Sequence, residues 1–195
     1  AIRRQRQMCI RDSAITLSPG SSIRYDRLSF GKKERYIELA GKAFFNVNHL
    51  KNVPFHINTP LADIQVLGTQ FQVVSTKDST VTWIVSGKVR FSTSRQCTDL
   101  TQNMRAIVNR ENGQIQVSAK DHLNELAWKT HRLVYQNTPL REVVADLEKL
   151  YQIKLKNIPP QNLKLTATFD TMEISDILYI INQTLDTNLT ITIQQ

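Results

Sequence analysis

Residues 132–195 overlay on themselves when the chain is shifted by 34 positions. The shift puts Tyr135 on Phe169, Leu140 on Ile174, Val143 on Ile177, Val144 on Leu178 and Leu147 on Ile181. Each copy reads strand, helix, strand. In the first, Leu133-Val134-Tyr135 alternates, and Thr138 is placed to N-cap a helix with Pro139 at its first position. Leu140, Val143, Val144, Leu147 and Leu150 then fall on one helical face, and 151–155 returns to alternation. In the second, 165–169 is the strand, Ile174, Ile177, Leu178 and Ile181 form the helix face, and Leu189, Ile191 and Ile193 alternate. One copy alone leaves its helix face in water, so the two must share a core. A small α+β domain of two βαβ repeats over 132–195, on one shared sheet, is the expected result.

The preceding region obeys a different period. Runs at 22–25, 36–47, 55–58, 64–74, 80–91, 106–109 and 114–117 are β-branched, aromatic or alternating, and no helical stretch interrupts them. Within 80–85, Val81, Trp83 and Val85 share one face and are expected to point into the core, with the hydroxyl residues on the other. Ser18-Pro19-Gly20, Phe30-Gly31-Lys32 and Asn112-Gly113 are turn signals. Gly41, Gly68 and Gly87 sit inside strand runs, where glycine marks a bulge or a close backbone approach. Residues 14–120 are therefore expected to form an all-β sandwich, jelly-roll-like in outline. Between the two regions, 121–131 reads as a connector with a short helix around Leu123, Leu126, Ala127 and Trp128, placed to pack between domains. Residues 1–13 show neither period nor cap nor turn chemistry. They resemble translated sequencing-adaptor sequence, and a disordered, non-native leader is expected there.

The net charge of the 195 residues is +8, but Arg3, Arg4, Arg6 and Arg11 against Asp12 supply +3 of it. The remaining cations alternate with acids or stand singly, and no basic stripe interleaved with aromatics appears. Nucleic acid is not an expected partner. Cys9 and Cys97 are the only cysteines, too few for a disulfide framework. His49, His56, His122 and His131 lack metal-ligand spacing among themselves or with Cys97. Neither phosphate-loop nor nucleophile-elbow motifs occur. Glu38 and Asp63 are ordinary surface acids by context, and Cys97 beside one arginine is a weak thiolate candidate. The chain is expected to carry no catalytic, metal or cofactor site. No window approaches the length of an apolar membrane span.

Several segments resemble the FecR family in order along the chain. Gly41-Lys42-Ala43-Phe44-Phe45-Asn46-Val47 is similar to its GEAFFEV segment, and Pro54-Phe55-His56-Ile57-Asn58-Thr59 to its PFxVxT. Val66-Leu67-Gly68-Thr69-Gln70-Phe71-Gln72-Val73 matches VLGTxFxV, and Val85-Ser86-Gly87-Lys88-Val89 fits xxGxV. Trp128, followed by Leu133-Val134-Tyr135-Gln136-Asn137-Thr138-Pro139-Leu140, resembles the junction into the C-terminal domain that follows FecR in Bacteroidota regulators. Lys42 replaces the usual glutamate, Thr101-Gln102-Asn103 a Pro-Gly turn, and His131 a common glycine. By the resemblance, a first strand, a transmembrane helix and a cytoplasmic anti-sigma segment would precede this fragment.

The resemblance implies the periplasmic sensor portion of a single-pass inner-membrane anti-sigma factor. Such a protein relays a signal from a TonB-dependent outer-membrane transducer to an extracytoplasmic-function sigma factor, without enzymatic activity. Its C-terminal repeat resembles the small secretin/TonB-type signalling domain that the transducers also carry. A small sheet cannot close, so strand addition at an edge is the expected docking mode. The candidate edges are Tyr151, Ile153 and Leu155 on one side and Leu189, Ile191 and Ile193 on the other; the sequence does not choose between them. A competing reading is an envelope carbohydrate-binding or scaffold β-sandwich, which requires an exposed aromatic cluster.

Overall fold

The structure, a computed structural model, describes residues 6–10, 13–28, 30–31, 35–119 and 123–192. It divides into two units, Ala1–Asp121 and His122–Gln195.

The first unit contains strands β1 (Arg6–Ile10), β2 (Ser13–Leu17), β3 (Ser22–Arg24), β4 (Arg35–Val47), β5 (Phe55–Asn58) and β6 (Asp63–Val66). These are followed by β7 (Thr69–Ser75), β8 (Ser79–Ser86), β9 (Lys88–Ser92), β10 (Cys97–Thr101), β11 (Met104–Asn109) and β12 (Ile115–Ala119). Hydrogen bonding links them in the order β10-β9-β6-β5-β4-β7-β8-β11-β12, with β2 and β3 also on β4 and β1 on β2. The path folds over at β4. Its first half pairs with β3 and, in parallel, with β5; its second half pairs with β2 and β7. The two leaves enclose one core, in which Phe45 meets Phe55 edge-on at 6.2 Å between centroids and stacks on Phe71 at 5.2 Å. The sandwich predicted from the strand runs is thus present.

Its corners explain the glycines. The chain passes between leaves inside β4 at Gly41, between β6 and β7 at Leu67-Gly68, and between β8 and β9 at Gly87. Gly41 and Gly87 have φ of +94° and +89°, a region side chains avoid. A Cβ on Gly68 would stand 2.7 Å from the Cβ of His49, and one on Gly87 would stand 2.8 Å from the carbonyl oxygen of Gly68. The predicted single runs 64–74 and 80–91 are therefore each two strands, broken where the chain changes leaf.

Arg35, which no period marks, closes this corner. It is 1 % exposed, and its guanidinium donates to the carbonyls of Asn48, Val53 (2.9 Å) and Leu67 and to Ser13 Oγ (3.2 Å). Its Cζ lies 5.3 Å from the centre of the Phe55 ring.

Two expectations fail here. Thr80, Thr82 and Ile84, rather than Val81, Trp83 and Val85, face the core of β8. The hydroxyls can be buried because Thr80 Oγ1 bonds Thr59 Oγ1 at 2.9 Å and Thr82 Oγ1 donates to the carbonyl of Gln72. The disordered leader is not seen where residues 6–10 and 13 are described. β1 pairs with β2 over Arg6–Ile10, Ile10 enters the core, and Ser13 binds Arg35. An open sheet edge accepts an extended segment through its main chain, a signal that side-chain period does not carry.

The second unit begins with a 3-10 turn, Leu123–Leu126, and helix α1, Ala127–Thr130, followed by β13 (Arg132–Pro139) and α2 (Leu140–Tyr151). Then come β14 (Leu155–Lys156), β15 (Lys164–Asp170), α3 (Ile174–Leu185) and β16 (Thr190–Ile191). The 34-residue repeat is reproduced in the backbone. Both helices have 12 residues; Asn137 and Thr171, then Gln152 and Asp186, take the same left-handed conformation one repeat apart. The faces of α2 and α3 share one core with Leu133, Tyr135, Leu155, Leu165, Phe169 and Leu189.

Four details depart from expectation. The strands form two antiparallel ladders, β13–β15 and β14–β16, not one sheet. The strand after each helix is only two residues long, and its first residue in β14 or the residue just before it in β16 is tethered to the helix by a side chain. Thr138 does not cap α2, because its hydroxyl is engaged with Gln136 in the β13 bulge; the N–H of Leu140 instead meets the carbonyl of Leu163 at 2.8 Å. The 123–130 segment is built into the second unit: Ala127 is in its core, and Asn124 and Glu125 bond Asp146 and Lys149 of α2.

Candidate functional site

A two-stranded ladder leaves the outer main-chain groups of both strands unpaired. In the second unit, side chains from neighbouring helical turns clasp several such groups. Asn124 Oδ1 accepts the N–H of Val134 at 2.8 Å on β13. Glu148 Oε1 accepts the N–H of Leu155 at 2.8 Å on β14. Asn182 Oδ1 accepts the N–H of Leu189 at 2.8 Å, and its Nδ2 donates back to the Leu189 carbonyl at 3.0 Å. Glu148 and Asn182, like Leu155 and Leu189, are one 34-residue repeat apart, so this clasp is part of the repeat. Repetition of apolar positions does not reveal it, because its two copies use different residue types.

The clasps are electrostatically distinct. Lys154 Nζ, 2.8 Å from Glu148, and the Leu155 N–H hold the Glu148 carboxyl below the usual carboxylate range. Asp146 is pushed the other way by burial, with Asn124 Nδ2 at 3.0 Å offsetting part of it. Burial also raises the hydroxyls of Tyr135 and Tyr151.

One edge stays open at β16. The N–H of Thr192 donates to the carbonyl of Lys154 at 2.7 Å, which makes Lys154 and Thr192 a hydrogen-bonded pair. In an antiparallel ladder such pairs alternate. Leu155 and Ile191 are therefore the non-bonded pair, and the N–H and C=O of Ile191 point away from β14. By the same alternation, the clasped N–H of Val134 marks Val134 and Thr168 as a non-bonded pair, so the main chain of Thr168 points outward along β15. Among the described residues, β15 pairs only with β13 and β16 only with β14.

The six sequence-derived edge residues thus separate. Ile191 is on an open edge with its side chain 38 % exposed. Leu189 and Leu155 lie in the core with clasped N–H groups. Ile153 packs against that core before β14 begins. Tyr151 is not on a strand: it ends α2, and its hydroxyl donates to the carbonyl of Met172 at 2.8 Å. Helical period continues through Tyr151, which the alternation of 151–155 concealed. Ile193 lies outside the described residues. The β15 edge was not among the sequence candidates.

Elsewhere, Glu38 and Asp63 share a face with Asn58 between them, and each has its own partner: Arg24 for Glu38, His56 at 3.6 Å for Asp63. Cys97 is exposed on β10 and accepts from Ser92 Oγ at 3.4 Å. Among the described residues, no three His, Cys, Asp or Glu side chains are grouped to hold a metal ion. No described helix is long and apolar enough to cross a membrane.

Comparison with known proteins matches both units. The family described as "FecR protein" matches residues 3–90, beginning inside the segment expected to be foreign, and "FecR, C-terminal" matches residues 132–195. No curated protein matches. Two crystal structures of a protein from Parabacteroides distasonis ATCC 8503, described as a candidate anti-sigma factor, are similar to this chain. Each is 25% identical to it and covers 99% of this chain and 96% of its own, with TM-scores of 0.69 and 0.68.

Proposed function

The chain belongs to the FecR family of anti-sigma factors, and from that premise we propose that it is the receiving part of an envelope-spanning regulator. The family places the protein in sigma-factor regulation. The finer reading is that both units lie in the periplasm and that the second takes up the signalling domain of a TonB-dependent outer-membrane transducer. The rest of the protein then passes the signal across the inner membrane to an extracytoplasmic-function sigma factor.

The open edge at Ile191 carries this reading. Asn124, Glu148 and Asn182 close the neighbouring edge donors, while Ile191 and Thr168 keep theirs outward. A domain whose edges are selectively closed can add a strand in only a few registers. Docking would shift the population of conformations in the second unit. No step asks for a catalytic group.

The test is made in cells. A promoter dependent on the cognate sigma factor is fused to a reporter, and the gene for this protein is replaced by its Ile191→Pro form. Transducer-dependent induction should fall severalfold with protein level unchanged. Normal induction in the variant, and in a Thr168→Pro variant, would contradict edge docking. The glycan-binding alternative needs a cluster of exposed aromatics, whereas the exposed Tyr36 and Tyr179 belong to different units.

A further inference from the structure

The two halves of the second unit match in their cores and differ sharply on their outer helix faces. Along the outside of α2 run two adjoining hollows, of about 550 and 390 Å³, that share Ala145 and Glu148. Arg141 and Ile158 line one end and Ile153 and Lys154 the other. The floor exists because position 145 is an alanine. One repeat later the same position on α3 is Tyr179, a ring 66 % exposed. One half presents a hole where the other presents a knob.

The charges are also opposed. Of the cations along the hollows, Lys149 pairs with Glu125 and Lys154 with Glu148, which leaves Arg141 to meet an acid from outside. The outer side and ends of α3 carry Glu173, Asp176 and Asp186, and α3 has no Lys or Arg. Among the described residues, neither these three acids nor Arg141 is in an ion pair. An exposed tyrosine opposite a hollow flanked by an arginine is a combination that anchors interfaces.

We propose that this face binds a second copy of the chain, with Tyr179 of one copy seated over Ala145 of the other. Asp176 of the first copy then faces Arg141 of the second. The contact is made by side chains of the helix faces rather than by strand addition, so it stands whether or not edge docking holds.

The mass of the full 195-residue chain is measured by sedimentation equilibrium over rising concentration. Self-association is expected, weakened about tenfold or more by Tyr179→Ala, which removes the knob, and by Ala145→Gln, which fills the hole. Both positions are exposed, and both variants should melt as the parent does. A mixture of the two variants keeps one intact knob and one intact hole, so it should associate more strongly than either alone. Charge reversal gives an independent arm: Arg141→Asp and Asp176→Arg each weaken association, and the double variant recovers it. A parent chain that stays monomeric to millimolar concentration would overturn the proposal. So would variants that associate like the parent, or a mixture no stronger than its components.

Discussion

The first unit is held by what happens at its corners, and the second by what is repeated in its core. In the first, the residues that make the family recognisable are buried at places where the chain changes leaf. Gly68 lies against His49, Gly87 against Gly68, and Arg35 gathers the carbonyls of Asn48, Val53 and Leu67 behind them. In the second, two copies of one βαβ plan bury the same positions, and their differences are pushed outward to Ala145 and Tyr179. A motif that identifies a family can thus be wholly structural, while the proposed self-contact lies where a repeat stops repeating.

This contrast can be broken most severely at Arg35. Arg35→Met strips the donors that tie three carbonyls and the Ser13 hydroxyl together at the corner, and should cost about 3 kcal/mol or more. The loss should be seen as early unfolding of the first unit, read from Trp83 fluorescence with Trp128 replaced by Phe. Gly87→Ala comes next, at about 2 kcal/mol, because it combines a positive φ with a Cβ 2.8 Å from the carbonyl oxygen of Gly68. Chemical denaturation measures both.

The repeat predicts matched effects in the second unit. Glu148→Ala and Asn182→Ala should each destabilise the unit by leaving the N–H of Leu155 or Leu189 without its acceptor, the Asn182 change by about 1–2 kcal/mol. Their pH dependence should differ. Glu148 titrates below its unfolded value, so its contribution is present above that value and is lost as pH falls through the folded one. Asp146 titrates above its unfolded value, so its charge is a burden at neutral pH that is relieved as pH falls through the folded value. Wild type should therefore gain on Asp146→Asn on mild acidification, whereas the margin of wild type over Glu148→Gln should shrink at lower pH. Urea melts across pH follow both. The smallest effect is a gain of about 0.5–1 kcal/mol from His131→Gly, since His131 ends α1 at a φ of +55°.

Much of this organisation is visible in the residues. The 34-residue shift located both helices, though not their ends, since α2 begins at Leu140 and runs through Tyr151, and glycines within strand runs marked the corners. What stayed hidden was hydrogen bonding that side-chain period does not encode. Thr80 and Thr82 point inward because Thr59 and the Gln72 carbonyl wait for their hydroxyls. Arg35 is buried because the carbonyls it serves lie at 48, 53 and 67, far apart in sequence. The candidate edges were half legible: Ile191 is open, but Leu155 and Leu189 are clasped by residues seven positions earlier, and β15 shows no sequence sign of being an edge.

Edge docking is tested most directly by amide hydrogen exchange, resolved by residue, on the full chain with and without the transducer's N-terminal signalling domain. The amides of Ile191 or Thr168 should exchange much more slowly in the complex, while those of Val134, Leu155 and Leu189, already clasped, should change little. Binding that leaves both Ile191 and Thr168 exchanging as they do in the free chain would contradict the account.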